Sequence, residues 1–340
     1  MKTILIGAGS IGGTVAVLTK KAGYDVRILC HSEKSKDEIA QKGISLHGAK
    51  GELNEKFVCY ASADELGEEK FDCCIIATKY AAMADTAKAI LPYLKPDSLV
   101  VGMQNGICTS ELAEIVGERR AVGCMLGFGA TRNGTTDVTM TSLGELYIGM
   151  PDGYHPRNLD YLKGMLDFVL PTKISDNITR QQYSKLIINS CINATAGITG
   201  QTLGNIIDDA RAGRLFLAIA REGMHVAKAM KIKVPKYGKL LEYRMLMLMD
   251  NKPYNEICRL VVKLVAKLKY ADVKPSTLQS LERGEKTEID IFNGYFAQKG
   301  DEYGVATPVN HKLTEMIHEI EKGEREITPE NLEEFRGIIF

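Results

Sequence analysis

Along the first half of the chain, short apolar runs alternate with longer amphipathic ones. Residues 3–6, 26–30, 71–77 and 98–102 are compact apolar runs, which predicts strands. Residues 10–21, 81–91 and 110–116 carry the 3.6-residue period of helices. Apolar strands separated by helices predict a parallel sheet covered on both faces. The stretch 120–150, rich in Gly and Thr (GCMLGFGATRNGTTDVTMTSLGELYIG), predicts antiparallel strands closing this domain. A helix over 159–170 and a short strand over 172–174 follow. After Ser175 the alternation stops. Helical periods run over 179–196, 210–230, 236–248, 254–268 and 286–303, with no further strand pattern. Residues 1–175 and 176–340 thus read as an α/β domain and an all-α domain. The closing run IHEIEKGEREITPENLEEF predicts a solvated terminal helix, with Thr328 as N-cap ahead of Pro329 and Glu330.

A length of 340 residues agrees with two domains at roughly 100–200 residues each. Basic and acidic residues both number 43, so the formal charge is zero and gives no support for a nucleic-acid or anionic-membrane partner. No stretch approaches the roughly 18 uncharged apolar residues of a membrane span. The N-terminal apolar run is broken by three glycines and lacks a clear cleavage site, so a cytoplasmic protein is expected. None of the eight cysteines forms C-x-x-C, and several sit in apolar runs such as FDCCIIAT. They read as buried thiols, and a zinc site is not expected. The methionine-rich run RMLMLMD (244–250) reads as core filling.

Candidate chemistry begins with ILIGAGSIGGTVAVL. Gly7, Gly9 and Gly12 form G-x-G-x-x-G between a strand and a helix. The first glycine permits the turn, the second lets a pyrophosphate approach the backbone, and the third allows close packing of helix on strand. The amides of Ser10, Ile11 and Gly12 at the helix start would then bind phosphate. This is a Rossmann-type dinucleotide site. An NAD site usually has a carboxylate at the end of the second strand; here that strand ends in His31-Ser32, with Lys34 and Lys36 following, which favours NADP(H). Thr78-Lys79 and Gln104-Asn105-Gly106 follow two further strands, where a cofactor's ribose and nicotinamide are handled.

In QYSKLIINSCINATAG (181–196), Lys185, Asn189 and Asn193 recur every four residues on a helix otherwise built for burial. A buried lysine without a partner is costly, so this stripe requires a carboxylate, a wet cleft, or both. One solvated helix edge with a snorkelling lysine would give the same spacing. A second segment, PSTLQSLERGEKTEIDIFNGYF (275–296), carries Ser276, Glu288, Asp290 and Asn293.

Together, GAGSIGG, TK, QNG, K-L-x-x-N-x-x-x-N and S-x-L-Q…G-x-x-T-E-I-D-x-x-N-G resemble the ketopantoate reductase (2-dehydropantoate 2-reductase) family from Gly7 to about Pro308. The resemblance implies a Rossmann domain plus a helical domain, a 6-phosphogluconate dehydrogenase-like arrangement with substrate between them. It also implies hydride transfer from NADPH to a 2-oxo acid, the step that makes pantoate for coenzyme A. By this resemblance Lys185 is the general acid. Glu288 positions the lysine and the substrate hydroxyl, and also lies against the cofactor. Asn189, Asn193 and Ser276 bind substrate, and Asn105 lies between substrate and cofactor. Gln104, Lys79 and His31 belong to the cofactor side. The chain departs from the family at His31, where arginine is frequent, at Leu203, where Asn-Gly is common, and at Ser280, where aspartate is frequent. Leu203 keeps open a different branched 2-oxo acid. A non-catalytic NADP(H) sensor on the same scaffold would not need to keep both Lys185 and Glu288. The number of apolar helices in one small domain leaves room for a homodimer.

Overall fold

The computed structural model describes residues 1–237, 241–248, 252–267 and 274–339. The chain divides into two compact units, Met1–Gln182 and Tyr183–Phe340, and the division falls inside a helix.

The first unit runs β1 (Thr3–Ile6), α1 (Ser10–Lys21), β2 (Val26–Leu29), α2 (Glu33–Lys42), β3 (Ile44–Gly48), β4 (Leu53–Glu55), β5 (Cys59–Tyr60), β6 (Phe71–Ile76), α3 (Met83–Ile90), β7 (Leu94–Gly102), α4 (Thr109–Val116), β8 (Ala121–Leu126), β9 (Ala130–Arg132), β10 (Asp137–Met140), β11 (Leu146–Gly149), α5 (Asn158–Leu166) and β12 (Thr172–Ile174). Its main sheet has the order β12-β11-β8-β7-β6-β1-β2-β5. The strands from β8 through β5 in that order pair in parallel, whereas β8 and β11 are antiparallel. Leu5, Cys73, Ile75 and Val101 face α1 and α5, and Ile4, Cys74, Ile76 and Val100 face α3 and α4. Burial on both faces is why these strands read as unbroken apolar runs, and each fully buried Ile or Leu stabilises the unit by roughly 1.5–3 kcal/mol. From β1 the chain builds toward β2 and β5, then returns to β6 on the other side of β1. The strand order therefore reverses beside β1, at the carboxyl ends of β1 and β6, the place where open α/β sheets take their ligands.

Two features of this unit were not anticipated. Helix α2 occupies 33–42, with the Ser32 hydroxyl accepting from the Ser35 amide at 3.2 Å as its cap. A second sheet, ordered β4-β3-β10-β9, uses strands of three to five residues. Antiparallel pairing does join β8 to β11 and β9 to β10, but β10 runs parallel to β3. In β3 and β10, Ile44, Leu46, Val138 and Met140 point inward, a two-residue period too short to stand out in the sequence.

The second unit is helical. Helix α6 (Ile178–Thr199) enters it, followed by α7 (Leu203–Asp208), α8 (Ala210–Ala229), α9 (Tyr243–Leu246), α10 (Lys252–Lys267), α11 (Ser276–Glu282), α12 (Asn293–Tyr303) and α13 (Pro308–Glu321), with 3₁₀ turns at Ile289–Ile291 and Pro329–Phe335. Two glycines let α6 lie close to its neighbours. A Cβ on Gly197 would sit 2.5 Å from Ile317 Cδ1 of α13 and 2.9 Å from Thr277 Cγ2 of α11. A Cβ on Gly223 of α8 would sit 3.0 Å from Phe296 Cζ of α12 and 3.3 Å from Ile187 Cγ1 of α6.

Four expectations for this half are corrected. The helix over 236–248 is a Tyr237–Leu241 bridge followed by the single turn α9; positions 238–240 lie outside the described residues, as does 268 of the helix expected over 254–268. The helix over 286–303 breaks at Phe292 (φ −107°, ψ −96°), because Ile289 and Phe292 are both drawn into the core. Of the methionine-rich run, Leu246 is buried but Met245 and Leu248 are exposed, while 249 and 250 lie outside the described residues. The terminal segment is solvated on one side only and forms a 3₁₀ turn with its apolar side buried. Leu332 and Phe335 are fully buried, and the Asn331 amide donates to the Ile198 carbonyl at 2.8 Å, fastening the tail to the end of α6.

Candidate active site

The β1–α1 turn has the geometry its three glycines require. Gly7 holds φ +92°, and a Cβ there would meet the Thr78 amide nitrogen at 2.8 Å. A Cβ on Gly12 would fall 2.0 Å from the Gly7 carbonyl oxygen and 3.0 Å from Ala77 Cβ, so only glycine lets α1 start this close to β1 and β6. Around Gly9 the space is open, with nothing within 4 Å of an added Cβ. Gly9 is also the N-cap of α1, and no side chain caps that end. The first amides of the helix, at Ser10 and Ile11, are therefore offered to a ligand rather than to a protein side chain. An open approach beside uncapped amides fits a dinucleotide diphosphate.

The neighbouring strand ends are braced from within. Gln104 is buried, and its amide donates to the Ile76 and Thr78 carbonyls at 3.0 and 3.1 Å while its oxygen accepts from the Cys108 thiol at 3.7 Å. Gln104 thus ties the end of β7 to the end of β6 and fixes the segment that carries Lys79, which is exposed. Asn105, the next residue, is half-buried. The Thr78 hydroxyl is buried without a partner.

Beyond β2, His31 is exposed, with ring nitrogens 3.3 and 3.4 Å from the Ser35 hydroxyl. Lys36 is engaged by Glu33 at 2.6 Å and Glu65 at 3.2 Å, whereas Lys34 is exposed. The carboxylate of Glu33, the first acidic residue after β2, is thereby turned to Lys36. A hydrogen bond with the Cys59 thiol holds the Cys30 thiol, next to His31, below its ordinary pKa.

On α6 the polar stripe is real. From 183 to 199 every residue is buried except Lys185, Asn189 and Ile192, which are half-buried. Asn193 is buried deeper along the same face. Its carboxamide oxygen accepts from the Ser276 hydroxyl at 3.1 Å and, more weakly, from the Thr277 amide at 3.5 Å. The structure thus brings Asn193 and Ser276 together across 83 positions of sequence. Glu288 is half-buried at the head of the Ile289–Ile291 turn. That turn is held from both ends: the Thr287 amide donates to Glu321 at 2.7 Å, and α12 packs through Phe296 on Tyr183 at 5.5 Å between ring centroids. Leu203 is buried at the start of α7.

Sequence reasoning missed Glu222 of α8, which is buried in the second unit. A single glutamate in an amphipathic helix carries no periodic signal. Among the described residues no cluster of three His, Cys, Asp or Glu is poised for a metal, and no helix is long and apolar enough to cross a membrane.

Residues 3–153 match the family model for ketopantoate reductase PanE/ApbA, and residues 177–321 match the model of its C-terminal part. The 2-dehydropantoate 2-reductase of Archaeoglobus fulgidus is 25% identical over 321 residues, covering 94% of this chain and 97% of that protein. A PanE/ApbA family ketopantoate reductase of Ralstonia eutropha superposes with a TM-score of 0.80 at 21% identity, covering 96% and 100% of the two chains. A D-mandelate dehydrogenase solved with NADH and anilino(oxo)acetate gives the same TM-score at 22% identity, over 95% and 99%. With both halves matched, the chain belongs to the ketopantoate reductase family of oxidoreductases, which act on small molecules.

Proposed function

We propose that this protein reduces 2-dehydropantoate to pantoate with NADPH, the step that feeds coenzyme A synthesis. The observation that carries the reading is the Lys185–Asn189–Asn193 stripe, polar and partly open on a helix that is otherwise buried, in a chain of this family.

When bound, a reduced nicotinamide supplies the hydride; the residues of the chain supply position and the proton. Hydride arrival at the keto carbon leaves negative charge on oxygen, and the Lys185 ammonium donates its proton there. Glu288 orients that ammonium and the substrate hydroxyl. Asn189, Asn193 and Ser276 hold the substrate. Asn193 spends its carboxamide oxygen on Ser276, so its amide hydrogens are the part left to face a substrate oxygen. Asn105 lies on the cofactor side. Gly7, Gly9 and Gly12 shape the diphosphate turn, with the Ser10 and Ile11 amides as donors. Preference for the 2′-phosphate is supported by exposed His31 and Lys34 and by the engagement of Glu33 with Lys36.

A second reading keeps the reaction and changes the substrate to another branched 2-oxo acid. Buried Leu203 favours it: an apolar side chain there cannot hydrogen-bond a substrate hydroxyl as the frequent asparagine would. The test is NADPH oxidation with 2-dehydropantoate by wild type and by Lys185→Ala. Fast turnover that collapses in the variant supports the first reading. A better branched 2-oxo acid in a panel supports the second, and an unimpaired variant refutes the role given to Lys185.

A further inference from the structure

Among the described residues of the second unit, one buried carboxylate, Glu222, is not used by the proposed chemistry. Glu222 of α8 caps α13. Its two oxygens accept from the Val309 and Asn310 amides at 2.9 Å each, and one accepts also from the Asn310 side-chain amide at 2.6 Å. The Asn310 oxygen in turn accepts from the Asn293 amide at 2.9 Å. Asn293 and Asn310 are fully buried. Asn293 is the first residue of α12 and stands five positions after Glu288, at the far end of the 3₁₀ turn that Glu288 heads.

Burying such a chain is costly, and burial raises the Glu222 carboxyl above the ordinary carboxylate range despite its donors. The Asn293 oxygen is also left without a partner. A fold seeking stability alone would fill this space with apolar side chains. What the chain does achieve is to fix the start of α12. The α8 carboxylate orients the Asn310 amide, and Asn310 then presents its oxygen to Asn293. Buried Ile289 and Phe292 hold the turn against the core, and polar contacts already hold its head and middle, the Thr287 amide to Glu321 at 2.7 Å and Asp290 to His318 at 3.0 Å. The hydrogen bond from Asn293 to Asn310 is the directional contact at its far end and fixes the turn there.

We infer that the chain Glu222–Asn310–Asn293 is a positioning device that sets the place of Glu288, with Asn293 as its terminal positioning residue. The inference rests on the role proposed above for Glu288. Asn293 does not cap α13, so substituting it leaves the Glu222 contacts to Val309 and Asn310 in place.

The experiment measures kcat and KM for the best 2-oxo acid, the Kd for NADPH and thermal unfolding in Asn293→Ala, Asn293→Ser, Glu222→Gln, Asn293→Ala/Glu222→Gln and Lys185→Ala. Asn293→Ala is expected to lower kcat/KM for the 2-oxo acid by about tenfold or more, as sub-ångström misplacement of catalytic groups does, with NADPH affinity unchanged. The Glu222 and Asn293 effects on kcat should be non-additive although the two side chains meet only through Asn310. A folded Asn293→Ala or Asn293→Ser with wild-type kcat/KM, or additive effects in the double variant, overturns the inference. Lys185→Ala separates the two ideas: if it stays active, the reading of the site fails; if it collapses while the Asn293 variants do not, only the positioning chain fails.

Discussion

Two glycines three residues apart should fail in opposite ways when given a methyl group. Gly9 has φ −77° and open space where its Cβ would lie. Alanine is sterically admissible there, and by restricting the unfolded chain it should stabilise the fold by about 0.4–1 kcal/mol. The same methyl group occupies the approach to the first amides of α1. Losing one charge-assisted hydrogen bond of about 1.5–3 kcal/mol weakens NADPH binding about tenfold to a hundredfold. Gly12 inverts the outcome. Its Cβ would fall 2.0 Å from the Gly7 carbonyl, a backbone atom that no rotamer change can move. Overpacking against backbone at this distance takes the upper end of the about 1–3 kcal/mol that overpacking costs, against a helix-propensity gain of about 0.5–1 kcal/mol. The melting temperature of the first unit should drop by a few degrees, at roughly 2–4 °C per kcal/mol. Titrating NADPH fluorescence and recording thermal unfolding on both variants reads the two effects separately. A Gly9→Ala protein that binds NADPH like wild type, or a Gly12→Ala protein that melts no lower than wild type, would refute this account of the turn.

His31→Asp should raise the ratio of kcat/KM with NADH to that with NADPH by about tenfold, since a carboxylate there accepts from ribose hydroxyls and repels a 2′-phosphate; steady-state kinetics with both cofactors check it. His47 lies between Glu52 and Asp137, with Nε2 2.9 Å from the aspartate, and these carboxylates, Glu52 first, raise its pKa above the ordinary 6.5. A raised histidine pKa contributes stability that is present below 6.5 and lost as pH climbs through the raised value, so wild type should lose melting temperature as pH rises above 6.5 that His47→Gln does not lose. Phe335→Ala removes a fully buried ring from the tail, which should cost about 3–5 kcal/mol in denaturant unfolding of the second unit; a negligible change would show that the tail is not part of that core.

Much of the first unit was legible because its signals are local. The central strands of the main sheet bury side chains on both faces and so carry near-continuous apolar runs, and G-x-G-x-x-G needs only a turn whose φ and close contacts belong to neighbouring residues. The spacing of Lys185, Asn189 and Asn193 marked one face of a helix, and the burial of the residues around them agrees. What the sequence did not show depends on partners far away in the chain. The short strands of the second sheet exist because β3 finds β10 about 90 residues on. The helix expected across 286–303 breaks where Ile289 and Phe292 enter a core assembled by other helices, and the tail is buried because its Leu332 and Phe335 find cover there. Local patterns determined the central strands, most of the helices and, through the spacing of three glycines, the β1–α1 turn. Only tertiary structure decided that Asn193 meets Ser276, that Gln104 braces two strand ends, and that a glutamate on α8 reaches through Asn310 to the start of α12, because long-range hydrogen bonds obey geometry in space and leave no period in the sequence.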